Sequence, residues 1–352
     1  MALAPLPGNR RLEAAPRLAA PVKAPARPRL TVVIVNFCQW QNTARLTRQL
    51  QRSDAARGGN ARIVIVDNNS PADAVTEHLE AIPGVRVERN ARNEGFARAV
   101  NLGVRLDPGE WVLLLNPDVT VTDGFLDDAL VAVEKAERHD PTTGVVGFQL
   151  RDSDGSPQAS AGHFPTFFST LRGLLLPRSR RKCRHKPTDV RCQVEWVTGG
   201  CLLVRADCFD ALGGLDERFF LYYEDADFCR RVRFVGRSVW YDPTLAVTHH
   251  WPLHKRAVPA PLRLITRHAL LTYAARHWRP WQVSVLRRLI GVEATCRRWT
   301  SFLRSEPVAS NCYRELQRLT TEPRESERRR QLDFASQFLR PIASAQDGES
   351  VG

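Results

Sequence analysis

Trp111-Val-Leu-Leu-Leu-Asn-Pro-Asp118 is an apolar run that stops at a polar tripeptide ending in a carboxylate. Consecutive apolar residues without alternation suit a strand buried on both faces, as in a parallel sheet covered by helices. Pro117 has no amide proton to give a sheet ladder, so the strand ends there. In an open parallel sheet, ligands bind just beyond the carboxyl ends of the strands, where Asp118 then falls. Taken alone, the tripeptide reads first as an ordinary Asn-Pro-Asp turn. The alternative is a carboxylate holding a divalent cation against a diphosphate. The surrounding sequence decides between them.

Upstream, Leu30-Thr-Val-Val-Ile-Val35 is a buried-type strand ending at Asn36, and Ala61-Arg-Ile-Val-Ile-Val66 is another, ending at Asp67-Asn-Asn-Ser70. Val85 to Arg89 alternates and closes at Asn90. Helices are expected over 41–52, over 71–81 with Pro71 in the first turn, and over 94–106. This alternation implies an α/β protein with an open parallel sheet and right-handed crossovers. Its polar strand ends, Asn36, Asp67 and Asn116 to Asp118, point to one binding crevice. A dinucleotide-binding domain would carry glycines at the first strand–helix turn. Asn36-Phe-Cys-Gln-Trp-Gln41 has none, which argues against it.

Downstream, a helix is expected over 122–138 and a strand over Thr143 to Leu150. Residues 172–191 carry Arg172, Arg178, Arg180, Arg181, Lys182, Arg184, Lys186 and Arg191 against one acid, Asp189. This is either a basic loop beside the site or a solvated charge run. Gly199-Gly200, inside the apolar stretch Val194 to Val204, marks a bend or a close approach of backbone to ligand. Glu224, Asp225 and Asp227 follow the aromatic stretch Phe219-Phe-Leu-Tyr-Tyr223 and open a helix through Val235. Acids at a helix N-terminus are favoured by its dipole. Beside four aromatic rings, a partly dry carboxylate also rises in pKa toward use as a base. Trp240 to Asp242 and Ala246 to His250 read as closing strands, with His249 either a strand-end residue or part of a metal sphere.

From Pro261 the pattern turns helical. Leu262, Ile265, Ala269, Leu270 and Tyr273 make one apolar face; Val285, Leu289, Val292, Cys296, Trp299 and Leu303 make another, flanked by Arg287, Arg288, Arg297, Arg298 and Arg304. Docking on an anionic membrane, packing on the preceding domain and a dimer contact all suit the second. The chain has 352 residues and a net charge of +13, from 51 basic and 38 acidic residues, which favours polyanionic or phosphate-bearing partners. Its eight cysteines form no C-x-x-C pair and imply a reducing compartment. Cys183, His185, Cys192 and Cys201 match no strong zinc spacing. No apolar run approaches the roughly 20 residues of a membrane span. A cytosolic protein is expected, peripheral at most to the inner membrane's cytosolic face. Proline-rich residues 1–29 and the polar end, 341–352, are expected to be disordered.

In order, Val33-Ile-Val-Asn36, Val66-Asp-Asn-Asn-Ser70, Asn93-Glu-Gly-Phe-Ala-Arg-Ala-Val-Asn-Leu-Gly103, Asn116-Pro-Asp118 and Phe219 to Arg231 resemble the motifs of the family-2 glycosyltransferases of the GT-A fold, particularly their bacterial rhamnosyltransferase-like branch. The resemblance implies a GT-A-type, mostly parallel, Rossmann-like sheet flanked by helices over 30–255. Residues 30–121 would form the nucleotide-sugar half and 122–255 the acceptor half, followed by a helical region over 256–340. It implies inverting sugar transfer, rhamnose foremost, with Asp225 as base and Glu224 beside it. Donor contacts would come from Asn36, Asp67, Asn69, Asn93, Gly95, Phe96, Asn101, Asn116 and Asp118. Acceptor contacts would come from Asp227, Gly199, Gly200 and Tyr223. Asp118 would hold Mg²⁺ or Mn²⁺, with His249 as a further ligand that its neighbour His250 leaves ambiguous. Asn116 departs from the expected aspartate and is suited to orienting sugar or ribose. The implied partners are a dTDP- or UDP-sugar and a glycan or lipid-linked acceptor, with the basic segments accounted for without nucleic acid. Two other classes compete: a sugar-nucleotide nucleotidyltransferase, which would carry a glycine-rich loop that residues 36–42 lack, and a non-catalytic carbohydrate- or polyanion-binding protein.

Overall fold

The structure is a computed structural model describing residues 27–175, 189–251, 258–321, 332–340, 343–344 and 347. The expected N-terminal tail through residue 26, most of the basic loop with Cys183 and His185, and most of 341–352 lie outside the described residues. The first half alternates as expected: β1 (Leu30–Asn36), α1 (Trp40–Leu50), α2 (Asp54–Arg57), β2 (Ala61–Asp67), α3 (Val75–Glu80), β3 (Val85–Arg89), α4 (Phe96–Leu106) and β4 (Trp111–Leu115). There follow β5 (Val119–Thr120), α5 (Phe125–His139), β6 (Thr143–Arg151), β7 (Pro157–Gln158), β8 (Ala161–Gly162), α6 (Phe167–Leu175), β9 (Cys192–Gln193), β10 (Trp196–Val197), β11 (Cys201–Arg205), α7 (Ala206–Ala211), α8 (Glu224–Phe234) and β12 (Ser238–His249). Three long helices complete the chain: α9 (Ala260–His277), α10 (Pro280–Leu303) and α11 (Pro307–Leu319).

The sheet runs in the order β3-β2-β1-β4-β11-β6-β12-β5. β1 to β4 pair in parallel, β11 lies antiparallel between β4 and β6, and β12 runs parallel to β6. Central β4 is buried at every position because its two faces feed different cores. Leu113 and Leu115 join Val32 and Ile34 under α1 and α5, while Val112 and Leu114 join Val33 and Val35 beneath α4 and α8. That is why the strand shows no polar alternation.

Two expected boundaries shift. The helix read over 71–81 begins only at Val75, because the Pro71 carbonyl accepts the Trp40 indole N–H (3.0 Å) and the Asp73 carboxylate accepts the Val75 amide (2.9 Å). The two closing strands are a single strand, β12, whose register with β6 breaks between Asp242 and Ala246. There the Asp242 side chain accepts both the amide and hydroxyl of Thr244.

The helical region has its own core, in which Leu262 and Ile265 of α9 meet Leu286 and Ile290 of α10 and Leu316 of α11. The buried stripe of α10 is Val283, Leu286, Ile290 and Ala294. The stripe read from the sequence as its apolar face turns outward instead, leaving Val292 63%, Trp299 63% and Leu303 77% exposed. α1 lacks a local side-chain cap at Gln39. Asp347 supplies one from afar, accepting the amides of Gln41 (3.0 Å) and Asn42 (2.8 Å), while Arg340 donates to the Asn69 carbonyl (3.1 Å).

Candidate active site

A cleft of about 780 Å³ opens over the carboxyl ends of the central strands. Asp118 reaches it because the chain turns immediately after β4, and β5 then pairs with the end of β12, setting His249 opposite Val119. His249 Nε2 lies 3.5 Å from Asp118 Oδ2. Gln158 orients the imidazole. Its amide nitrogen donates to the carbonyls of His249 (2.7 Å) and Arg151 and to Asp152, so its oxygen faces His249 Nδ1 at 3.0 Å. Nδ1 therefore donates to Gln158, and Nε2 is the ring nitrogen that faces Asp118. His250, the rival ligand, is turned away, with Thr120 at Nε2 (2.7 Å) and Ser153 at Nδ1 (3.0 Å). Burial, with the nearby Arg45 charge, lowers its pKa.

A carboxylate oxygen and an imidazole nitrogen at this separation fit a divalent cation that fills its remaining positions with phosphate oxygens and water. Among the described residues no group of three or more His, Cys, Asp and Glu could hold a metal. The zinc set drawn from cysteines fails in its described part, since Cys201 is buried in β11 with its thiol pKa raised by burial.

Asp225 enters the same cleft from the first turn of α8. Before that helix Tyr222 and Tyr223 both adopt left-handed backbone, φ 75° and 68°, an unfavourable conformation for bulky residues that recurs at functional sites. Asp225 Oδ2 accepts the amide of Gly199 (3.0 Å) and Oδ1 that of Ala226 (2.7 Å). Gly199 and Gly200 line the cleft beside it, and the Asn116 amide N–H donates to the Gly200 carbonyl. Glu224 is buried with Oε2 unpartnered, and burial together with the Asp225 charge pushes its pKa well up. Burial and the neighbouring carboxylate therefore both favour its protonated form.

Asp227 stands apart from the expected acceptor contacts. Its fully buried carboxylate is gripped by Arg231 (2.7 Å), Arg276 (3.0 Å) and His277 (2.7 Å), fastening α8 to α9 rather than lining the cleft.

Of the expected donor contacts, Asn93, Gly95, Phe96, Asn116 and Asp118 line the cleft; Asn36, Asp67, Asn69 and Asn101 do not. Asn36 and Asp67 are buried behind the wall, with the Asn36 amide donating to Asp67 (2.8 Å) and the Ser70 hydroxyl also bonded to Asp67. Asn101 is tied to the backbone of Leu215 (2.8 and 2.9 Å). Sequence reasoning missed Gln158 and Asn68, which also lines the cleft and donates to the Gly95 carbonyl (3.1 Å). It missed Arg263 and Arg267 as well, and treated Arg297 as surface charge; all three line the cleft.

The model of the family described as Glycosyl transferase family 2 matches residues 31–209. The chain is similar to the N-acetylglucosaminyl-diphospho-decaprenol L-rhamnosyltransferase of Mycobacterium tuberculosis, with 32% identity over 241 residues covering 63% of this chain and 76% of that protein. It is also similar to rhamnosyltransferase WbbL of Escherichia coli, with 24% identity over 141 residues covering 40% and 52% of the two chains. Among solved structures, GalNAc-T7 with UDP, GalNAc and Mn²⁺ aligns with a TM-score of 0.48 at 18% identity, over 70% of this chain and 48% of that one.

Proposed function

Since the chain belongs to glycosyltransferase family 2, we propose that it moves a sugar, rhamnose foremost, from a nucleoside-diphosphate donor to a hydroxyl of a lipid-linked glycan, with inversion at the anomeric carbon. The observation that carries this reading is the sharing of one cleft by Asp225, fixed by the Gly199 amide, and the Asp118–His249 pair.

In this reading the acceptor hydroxyl gives its proton to a lone pair of the Asp225 carboxylate as its oxygen attacks the anomeric carbon. The bond from that carbon to the donor phosphate oxygen breaks with its electron pair, and the nucleoside diphosphate leaves. Asp118 and His249 would hold the divalent cation, which when bound supplies positive charge to the departing diphosphate. Glu224, whose pKa burial and the Asp225 charge raise, stands beside the base, and Asn116 orients sugar or ribose with its amide. Asn93, Gly95 and Phe96 complete the donor wall. The lipid-linked acceptor follows the activity for which the mycobacterial relative is named. It also suits the outward stripe of α10, where apolar residues stand beside Arg288, Arg298 and Arg304.

A panel of nucleotide sugars scored by thermal shift with Mn²⁺ present, followed by a transfer assay on the stabilising donor, tests the reading. dTDP-rhamnose is expected to raise the melting temperature most, with UDP-galactofuranose the next candidate. A panel in which no nucleotide sugar stabilises the protein or is consumed would sink it.

A further inference from the structure

The helical region contributes a wall to the cleft that the reaction above does not use. Arg263 and Arg267 stand one turn apart on α9, and Arg297 approaches from α10; all three line the cleft that also holds Asp118 and Asp225. One carboxylate, Glu293, serves all of them, meeting Arg267 Nε at 2.8 Å, Arg297 Nε at 3.0 Å and Arg263 Nη1 at 3.4 Å. Three guanidiniums against one carboxylate leave a net charge of +2 on this wall. Burial works to raise the Glu293 pKa, but the Arg267 hydrogen bond and the neighbouring guanidinium charges hold it below the ordinary value.

The arrangement leaves donors over. Arg263 Nε is buried with no partner. Arg267 and Arg297 both reach Glu293 through Nε, and among the described residues their Nη groups have no hydrogen-bond partner. The Arg263 and Arg267 side chains are only 19% and 12% exposed, so bulk water screens them weakly. A brace between two helices needs one arginine and one acid, not three arginines that all line a cavity. Parallel guanidinium N–H groups match phosphate oxygens. A surplus of two positive charges suits a dianionic or more highly charged ligand, not a neutral sugar.

We propose that Arg263, Arg267 and Arg297, held together by Glu293, form a diphosphate subsite of the cleft. The diphosphate can come from the nucleotide donor or from a lipid-linked acceptor; only this choice of source rests on the glycosyl-transfer reading.

The test is calorimetric titration of the full chain with inorganic pyrophosphate at about 0.15 M salt. EDTA is present so that no cation at Asp118 and His249 contributes. Pyrophosphate is expected to bind the native protein and to bind Arg267→Gln and Arg297→Gln about 10- to 100-fold more weakly, the range for losing a charge-assisted contact. Arg297, 42% exposed, is the substitution that least disturbs packing, and an unchanged melting temperature shows that the variant is folded. Failure of pyrophosphate to bind the native chain, or equal affinity for the folded variants, overturns the subsite.

Titrations with UDP and with farnesyl diphosphate then assign the source. Weakened UDP binding in the variants marks the donor, and weakened farnesyl diphosphate binding with UDP unchanged marks the acceptor; each supports the subsite. If arginine-dependent pyrophosphate binding persists but no donor is ever consumed, the subsite stands and the transfer reading falls. If sugar is transferred but pyrophosphate binding does not depend on the arginines, the transfer reading stands and the subsite falls.

Discussion

At Asp225 one substitution separates chemistry from binding. Asn keeps an oxygen for the Gly199 amide but is not a base, so Asp225→Asn should lower kcat by about 10²- to 10⁴-fold while calorimetric donor affinity stays near the native value. Loss of donor binding in that variant would remove Asp225 from the base role. Gln158 offers a test of the pair it supports. Gln158→Leu frees His249 to adopt either tautomer, and Mn²⁺ affinity measured by electron paramagnetic resonance should fall about 10- to 100-fold. Undiminished Mn²⁺ affinity would exclude His249 as an oriented ligand. Glu224 gives a pH signature. Its folded pKa lies above the unfolded value near 4.5, so the native state retains a proton that the unfolded chain releases, and stability declines as pH rises through the interval between the two. Glu224→Gln should remove that decline, making the variant's advantage in denaturant midpoint grow as pH rises above the unfolded value. An advantage independent of pH would contradict the raised pKa of Glu224. Asp118 was legible in the sequence because a proline and a carboxylate closed an apolar strand. The choice of His249 over His250 was not, because it depends on Gln158, 91 residues away, and on the pairing of β5 with β12.

Among the elements, α4 shows how closely the cleft is built. Gly95 precedes it at φ 87°, and a Cβ there would lie 2.7 Å from the Phe220 carbonyl oxygen, which also accepts the Phe96 amide. Gly95→Ala must therefore part α4 from the aromatic segment leading to Asp225. An expected loss of roughly 1–3 kcal/mol in denaturant unfolding should be accompanied by weaker donor binding. Native stability in this variant would show that the two segments move independently. The sequence motif singled out Gly95, yet nothing local identifies Phe220 as its neighbour. Strand assignments transferred well because β1, β2 and β4 are filled from both faces and leave little ambiguity. α10 was harder, since it carries apolar residues on two faces, and periodicity selected the exposed one. Burial instead follows Leu286, Ile290 and Ala294, whose partners lie on α9 and α11. Asp227 was misread for a related reason: three acids in one helical turn look equivalent until α9 brings Arg276 and His277 onto one of them.

For the molecule as a whole, the outward stripe of α10 and its arginines predict binding to vesicles containing anionic phospholipid. Among the described residues no helix is long and apolar enough to cross a membrane. Trp299→Ser combined with Leu303→Ser should abolish co-sedimentation with such vesicles and change folding stability by no more than about 0.5 kcal/mol per site, because both side chains are exposed. Retained co-sedimentation would place the contact elsewhere. The cap that Asp347 places on α1 has a bearing on synthesis. It joins residues 306 positions apart. At ribosomal rates of about 5–20 residues per second, the first helix waits roughly 15 to 60 s after its own emergence for the carboxylate that satisfies its amides. The parallel strands can collapse during that interval, with the first helix still fraying at the rim. The α1 amides are therefore satisfied only after the helical region has been translated.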